Sequence, residues 1–280
     1  MNQFKNEELS ELIKNAVAGD KKSLETVILS VQDLVFNLSL RMLGTFPDAE
    51  DATQEILLKI ITHLNSFKGE SAFSTWVFSI ALNYLKNYKK HMFAKFPLSF
   101  EFYAEDIENA DIRSVPDLTQ GVEQSILAEE LKLSCTNVML QCLDAESRCI
   151  FILGTMFKVD SRIAGDILGI TPEAYRKRLS RVRKKVAEFL QEYCGEYGNG
   201  KCRCADRVNY AIQSHRINAA HLDFTSAVSK DIADVKEAME EIDNISQEFS
   251  FCKSYRSPGS LKKFIEEFLN SDSFSVVEKA

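Results

Sequence analysis

The sequence predicts an all-α protein: two small helical domains joined by an acidic linker, with a helical C-terminal extension. Three observations predict it. Apolar residues recur at helical spacing through most of the chain, as in Leu9, Leu12, Ile13, Ala16 and Val17. Glycine and proline are few, 11 and 5 in 280 residues, and no stretch alternates strongly enough to read as a strand. Residues 154–190 read as two helices around a tight turn, the second of them long and basic. The boundaries fall at 1–95 for the first helical domain, 96–121 for the linker, 122–191 for the second domain, 192–224 for a cysteine-containing segment and 225–280 for the rest of the extension.

The elements follow in order. Residues 5–30 carry helical spacing broken at Gly19-Asp20, and 31–44 continue as an apolar helix ending near Gly44. Pro47 and Asp48 open the next helix, with Ala49, Ala52, Ile56 and Ile60 on one side. Asp48, Glu50 and Asp51 in its first turn suit a helix N-terminus. Ser66–Ser71 form a polar loop around Gly69, and a further helix runs from about Phe73 to Lys90. From Phe96 to Gly121 the chain holds two prolines and six acids against a single Arg113, with no sustained period, which reads as a linker, extended or disordered. Helical spacing resumes near Val122 and runs to about Tyr193; further amphipathic runs lie at about 226–249 and 260–270.

Within 154–190, Ile163, Ala164, Ile167 and Leu168 space as the inner face of a short helix, and Gly169 permits the turn. Thr171 suits the cap of the next helix and Pro172 its first turn. Tyr175, Leu179, Val182, Val186 and Phe189 make one inward stripe. The other faces carry Arg176, Lys177, Arg178, Arg181, Arg183, Lys184 and Lys185 against only Glu173 and Glu188. A solvated charged face is the plainer reading; a basic recognition helix in a chain of net charge -7 favours local nucleic-acid contact.

Composition excludes several classes. No apolar run approaches the ~20 residues of a membrane span. The charged, amphipathic N-terminus is no secretory signal, so a cytoplasmic protein with no membrane partner is expected. Seven cysteines, an odd number, are then expected reduced, metal-bound or redox-active. No phosphate loop, His-Glu-x-x-His motif or catalytic Ser or Cys signature occurs, and the four histidines are scattered, so the chain is read as a non-enzyme.

Two motif sets then converge. DAEDATQEILLKI at 48–60, SFKGESAFSTW at 66–76 and VFSIALNYLKNYKK at 77–90 resemble region 2 of the bacterial sigma-70 family, especially its extracytoplasmic-function (ECF) branch. LDAESRCIFIL, IAGDILGIT and AYRKRLSRVRKKV within 143–190 resemble region 4 of the same family. The resemblance covers about half the chain, in the family's order.

It implies an ECF-type sigma factor that binds core RNA polymerase at the largest-subunit clamp and the flap, recognises −35 and −10 promoter DNA and initiates transcription. Asp48, Glu50, Asp51, Gln54 and Glu55 would face the clamp, an acidic rim suited to a basic surface. Phe67, Lys68, Gly69, Glu70 and Ser71 would form the loop that captures an unstacked −10 base, and Asn83, Lys86, Tyr88 and Lys89 would line the melted strand. Phe73 and Trp76 are read as core.

In region 4, Thr171, Glu173, Arg176, Lys177 and Ser180 stand at the start of the recognition helix, where base edges are read. Arg178, Arg181, Arg183 and Lys184 are read as phosphate contacts. The acidic linker would thread the polymerase near the RNA exit path. An anti-sigma factor is a further partner the resemblance admits. The competing class is a free-standing helix-turn-helix regulator, which has no need of the 48–60 helix or the 66–76 loop. LKNYKK carries fewer arginines than the end of region 2 usually does, and the chain continues past region 4, where minimal members end.

The extension opens with Cys194, Cys202 and Cys204, interleaved with glycines. Three thiolates suit Zn²⁺, with His215 or His221 as fourth ligand, and Arg203 and Arg207 would lower the thiol pKa values. The C-x7-C-x-C spacing is not a common zinc pattern; a redox or metal sensor and a structural loop with free thiols stay open. Cys135, Cys142 and Cys149 are read as core, with Leu143-Asp144 interrupting the helix. The runs carrying Ile232, Val235, Met239 and Ile242, then Leu261, Phe264, Ile265, Phe268 and Leu269, are expected to pack on region 2 or region 4 and hold the factor inactive.

Overall fold

A computed structural model describes residues 6–88, 92–228 and 254–271. Among them the chain is helical, with isolated β-bridges and no strand. It divides into two compact units, 1–40 with 46–89 and 256–280, and 41–45 with 90–255.

The first unit is built on α1 (Asn6–Val17), α2 (Lys21–Leu43), α3 (Phe46–His63) and α4 (Phe73–Asn87). Asp20 caps α2, accepting from the Ser23 backbone N–H at 3.0 Å. Val27, Ile28, Val35 and Phe36 of α2 and Ala49, Ala52, Ile56, Leu57 and Ile60 of α3 are fully buried core. By length and composition α2 passes for a membrane span, contrary to the sequence reading. However, 72% of its apolar window is buried inside the protein, as in a core helix. The C-terminal helix α13 (Gly259–Leu269) belongs to this unit and packs on α3.

The second unit holds α5 (Met92–Lys95), α6 (Phe100–Asn109), α7 (Gln124–Leu140), α8 (Ala145–Phe151), a π-turn at Ile152–Met156, α9 (Ser161–Leu168), α10 (Pro172–Tyr193), α11 (Cys204–Gln213) and α12 (Asp223–Ala227). The expected break at Leu143-Asp144 is present: Asp144 caps α8, accepting from Ser147 N–H at 2.9 Å. Arg148 gathers carbonyls at the ends of α2 and α7 around it, donating to Leu140, Met42, Gln141 and Leu143 oxygens at 2.9, 2.5, 3.3 and 2.8 Å. Burial pulls its guanidinium down to about 10.

The linker departs from the sequence reading. Residues 100–109 are helical and packed: Ser99 caps α6, and Phe100 and Tyr103 lie against Phe189 of α10 at ring separations of 4.9 and 5.9 Å. Asp106, counted as a linker acid, is the centre of a buried cluster. It accepts from Arg216 at 2.8 and 2.6 Å and from the Tyr210 hydroxyl at 2.6 Å, with Arg207 at 3.5 Å. The acidity that suggested an extended tether is, at this residue, neutralised by arginines from the extension. Residues 229–253, including the run at Ile232 to Ile242, lie outside the described residues.

Candidate functional site

The acidic helix α3 buries one stripe and presents another. Asp51 and Glu55 are exposed, Asp48, Glu50 and Gln54 half-buried. Asp48, Asp51 and Glu55 share the side facing α4. There their charge, after burial itself, holds Tyr88 above its ordinary value, and burial followed by Glu55 pushes Tyr84 up to about 12. Both phenols stay neutral, and their rings lie 5.6 Å apart. Lys59 sits 5.7 Å over the Tyr84 ring. Glu50 points the other way and accepts a hydrogen bond from Ser260.

The loop after α3 begins with a 3₁₀ turn, Leu64–Ser66. Gly69 takes φ +74°, a left-handed conformation that favours glycine, with open space where a Cβ would stand. Lys68, Glu70 and Ser71 are exposed around it. Phe67 turns inward, 5.2 Å from Phe73 and 5.6 Å from Trp76, so the three rings form one cluster under the loop. Phe73 is buried and Trp76 half-buried. On α4, Asn83 is exposed and Lys86 half-buried; Lys89 lies outside the described residues.

The helix-turn-helix forms where expected. Asp160 caps α9, Gly169 ends it at φ +68°, and Thr171 accepts from Ala174 N–H at 3.2 Å to start α10. The close approach needs a second glycine that periodicity did not single out: a Cβ at Gly165 would stand 2.6 Å from the Ile170 carbonyl. Tyr175, Val182, Val186 and Phe189 are buried as the stripe requires.

Glu173, Arg176, Lys177, Ser180, Arg181 and Lys184 are exposed on one helix. Arg176 donates to Ser161 Oγ at 3.0 Å, Lys184 stands 3.7 Å from Glu188, and Arg178 pairs with Glu146. Arg183 differs from its reading as a phosphate contact. It donates to Thr155 Oγ1 at 3.0 Å and the Gly154 carbonyl at 2.9 Å, fixing α10 to the π-turn.

The thiols of the extension reach one cavity of about 50 Å³, walled by Cys194, Cys202 and Cys204 together with Cys135 of α7, Tyr103 and Arg207. Sequence spacing assigned Cys135 to the core set of Cys142 and Cys149; only the fold brings it here, where it accepts from the Tyr103 hydroxyl at 3.2 Å. The loop closes by a parallel bridge between Cys194 and Cys202, with Gly195 N–H on the Cys202 carbonyl at 2.8 Å and Cys202 N–H on Tyr193 at 3.1 Å.

Among the described residues, no group of three or more His, Cys, Asp or Glu side chains is placed to hold a metal ion. His221 instead lies 2.8 Å from Asp223. The expected lowering of thiol pKa by arginine is reversed. Burial pushes Cys202 up to about 12 and raises Cys194 and Cys204, outweighing the charge of Arg207 on Cys202.

Residues 27–91, from α2 through α4, match the sigma-70 region 2 family. Over longer spans the chain is similar to the RNA polymerase sigma-H factor of Pseudomonas aeruginosa, 25% identical over 66% of this chain and 95% of that protein. It is similar to the ECF RNA polymerase sigma-E factor of Haemophilus influenzae, 27% identical over 64% and 94%. It is also similar to the ECF RNA polymerase sigma factor SigW of Bacillus subtilis, 26% identical over 66% and 97%. The solved structure of CnrH in complex with the cytosolic domain of CnrY covers 64% of this chain and 94% of that one, at 19% identity and a TM-score of 0.44.

A region 2 helical unit and a helix-turn-helix unit stand in one chain, and the region 2 match over residues 27–91 together with the similarity to sigma factors over about two thirds of the chain supports a sigma-70 family member. The relatives named ECF RNA polymerase sigma factors point to the ECF branch and support a function in transcription initiation.

Proposed function

We propose that this chain binds core RNA polymerase through α3, reads promoter DNA through α10 and the 67–71 loop, and so selects where transcription starts. The observation that carries the reading is the pair of opposite faces on separate units. Asp48, Asp51 and Glu55 form an acidic face on α3, and Arg176, Lys177, Arg181 and Lys184 a basic one on α10. The acidic face suits a basic helix pair on the polymerase clamp, by steering and by charge complementarity. The basic face, set by a capped helix-turn-helix, suits the major groove. Glu173, Arg176, Lys177 and Ser180 near its N-terminus are placed for base edges, and Arg181 and Lys184 further along for phosphates. Contact of region 4 with the polymerase flap belongs to the same proposal.

At the −10 element, the open space over Gly69 and the ring cluster of Phe67, Phe73 and Trp76 beneath support a pocket for an unstacked base. Neutral Tyr88 and the cationic Lys86 suit the strand beyond it. No covalent step is assigned to the chain.

The test is run-off transcription from a promoter library with bacterial core polymerase. Promoter-dependent transcripts are expected. They should be lost on reversing Asp51 and Glu55 to lysine, and Arg176→Ala should relax the −35 preference at one position, an effect of about 1–3 kcal/mol. DNA binding that persists without any polymerase-dependent transcript would overturn the reading in favour of a free-standing regulator.

A further inference from the structure

The C-terminal helix α13 occupies a defined surface of the first unit. Its apolar stripe, Leu261, Ile265 and Leu269, is buried at 0%, 0% and 4% exposure, while Lys262, Lys263, Glu266 and Glu267 face outward. Its two ends are fixed on α2. Ser257, just before the helix, donates from its backbone N–H and its hydroxyl to Asp33 at 3.0 and 2.5 Å, and accepts from Gln32 at 2.5 Å. Twelve residues on, the Leu269 carbonyl accepts from Lys21 at 3.1 Å. Lys21 is itself twelve residues before Asp33, so α13 runs antiparallel to α2 over an equal span.

The charges match the helix dipole at both ends. Glu50 of α3 takes the hydroxyl of Ser260 in the first turn, and Lys21 takes the last carbonyl. Glu50 is among the acidic side chains of α3 that the resemblance turns toward the polymerase clamp, on a different side of the helix from Asp48, Asp51 and Glu55.

We propose that α13 is a built-in competitor for core polymerase. It seats on the α2–α3 surface, engages Glu50 with its N-terminal turn, and must leave before the acidic helix can dock. The competition rests on the reading of α3 as the polymerase-binding helix. Its physical basis is substitution: α13 presents to Glu50 the same chemistry, hydrogen-bond donors backed by positive potential, that a basic partner surface would present.

The test is a fluorescence titration of full-length protein with core polymerase, comparing wild type with two full-length variants. Leu261→Glu with Ile265→Glu places carboxylates on the buried stripe. Ser260→Asp leaves that stripe intact and sets a carboxylate against Glu50. The expected result is core binding at least tenfold tighter for the double variant and several-fold tighter for Ser260→Asp, each with wild-type helical content. Deuterium exchange supplies a readout that needs no variant: amides of 259–269 in the wild-type protein should lose protection when core polymerase is added. Equal core affinity in all three forms, or undiminished protection of 259–269 in the complex, would overturn the competition while leaving the polymerase reading in place. No core binding by any form would overturn that reading and the competition with it.

Discussion

The chain fastens two C-terminal pieces by different means. In the second unit, the extension is held by buried charge. Asp106 is shared by Arg207, Arg216 and Tyr210. Glu130 of α7, 2% exposed, accepts from Phe224 N–H, Thr225 N–H and the Thr225 hydroxyl at 2.9, 2.7 and 2.8 Å. In the first unit, α13 is held by one apolar stripe, by hydrogen bonds at Asp33 and Glu50 that are open to solvent, and by part-buried ones from Gln32 and Lys21. Breaking a buried, multiply bonded charge strands its partners without water, so such an attachment opens only with the fold. An apolar stripe with solvated end contacts exchanges its end bonds for water one at a time and strands no buried charge when it opens. The α11–α12 segment is therefore built as structure, and α13 as an element that can leave.

The largest effect is expected at the buried cluster. Asp106→Ala leaves Arg207, with an 8% exposed side chain, uncompensated, and should cost about 3–5 kcal/mol by denaturant unfolding. A loss no greater than that of an exposed ion pair would erase the contrast.

The pH dependence reads the same cluster. Burial pushes the Asp106 carboxyl up, but the hydrogen bonds and charge of Arg216, with Tyr210 and Arg207, bring it below its ordinary value. A lowered folded pKa contributes stability above the unfolded value, about 3.9, that is lost as pH falls through the folded one. On the alkaline side Cys202, Cys204 and Tyr103 are raised by burial. Their contribution is present below the unfolded pKa values and is lost as pH climbs through the folded ones. Unfolding midpoints measured against pH should fall at both extremes, and Asp106→Asn should flatten the acid limb alone.

A smaller loss is expected at the cysteine loop. A Cβ on Gly200 would stand 2.0 Å from the Tyr193 carbonyl carbon, and backbone cannot swing aside as a side chain does. Gly200→Ala should cost about 1–3 kcal/mol and speed alkylation of Cys194 and Cys202, followed by iodoacetamide labelling. The smallest effect belongs to α13: Ser260→Ala removes the side-chain bond to Glu50 and should cost about 0.5–1.5 kcal/mol, with exchange rising at 259–269 before anywhere else.

Much of this was legible in the sequence. Helical spacing, Gly44, Gly169, Thr171-Pro172 and the Asp144 break are local features, and each stands where a local rule places it. The stripe of α10 and the aliphatic core of α3 followed from periodicity alone. Three things were not legible. Asp106 looked like one acid of a tether because its partners, Arg207 and Arg216, are about a hundred residues away. Cys135 looked like core because nothing in its own helix reveals that Cys194, Cys202 and Cys204 share its cavity. Arg183 looked like a phosphate ligand because its helix is basic on every polar face, and only the π-turn at Gly154 and Thr155 draws it inward.

The sequence by itself determined the helices, their caps, the turn of the helix-turn-helix and the two faces of opposite charge, since all depend on residues within a turn or two of one another. Tertiary structure alone decided which charges meet and which surface α13 takes. Those outcomes depend on contacts between residues distant along the chain, where burial changes both the cost of a charge and the pKa of a thiol, and no local pattern encodes that burial.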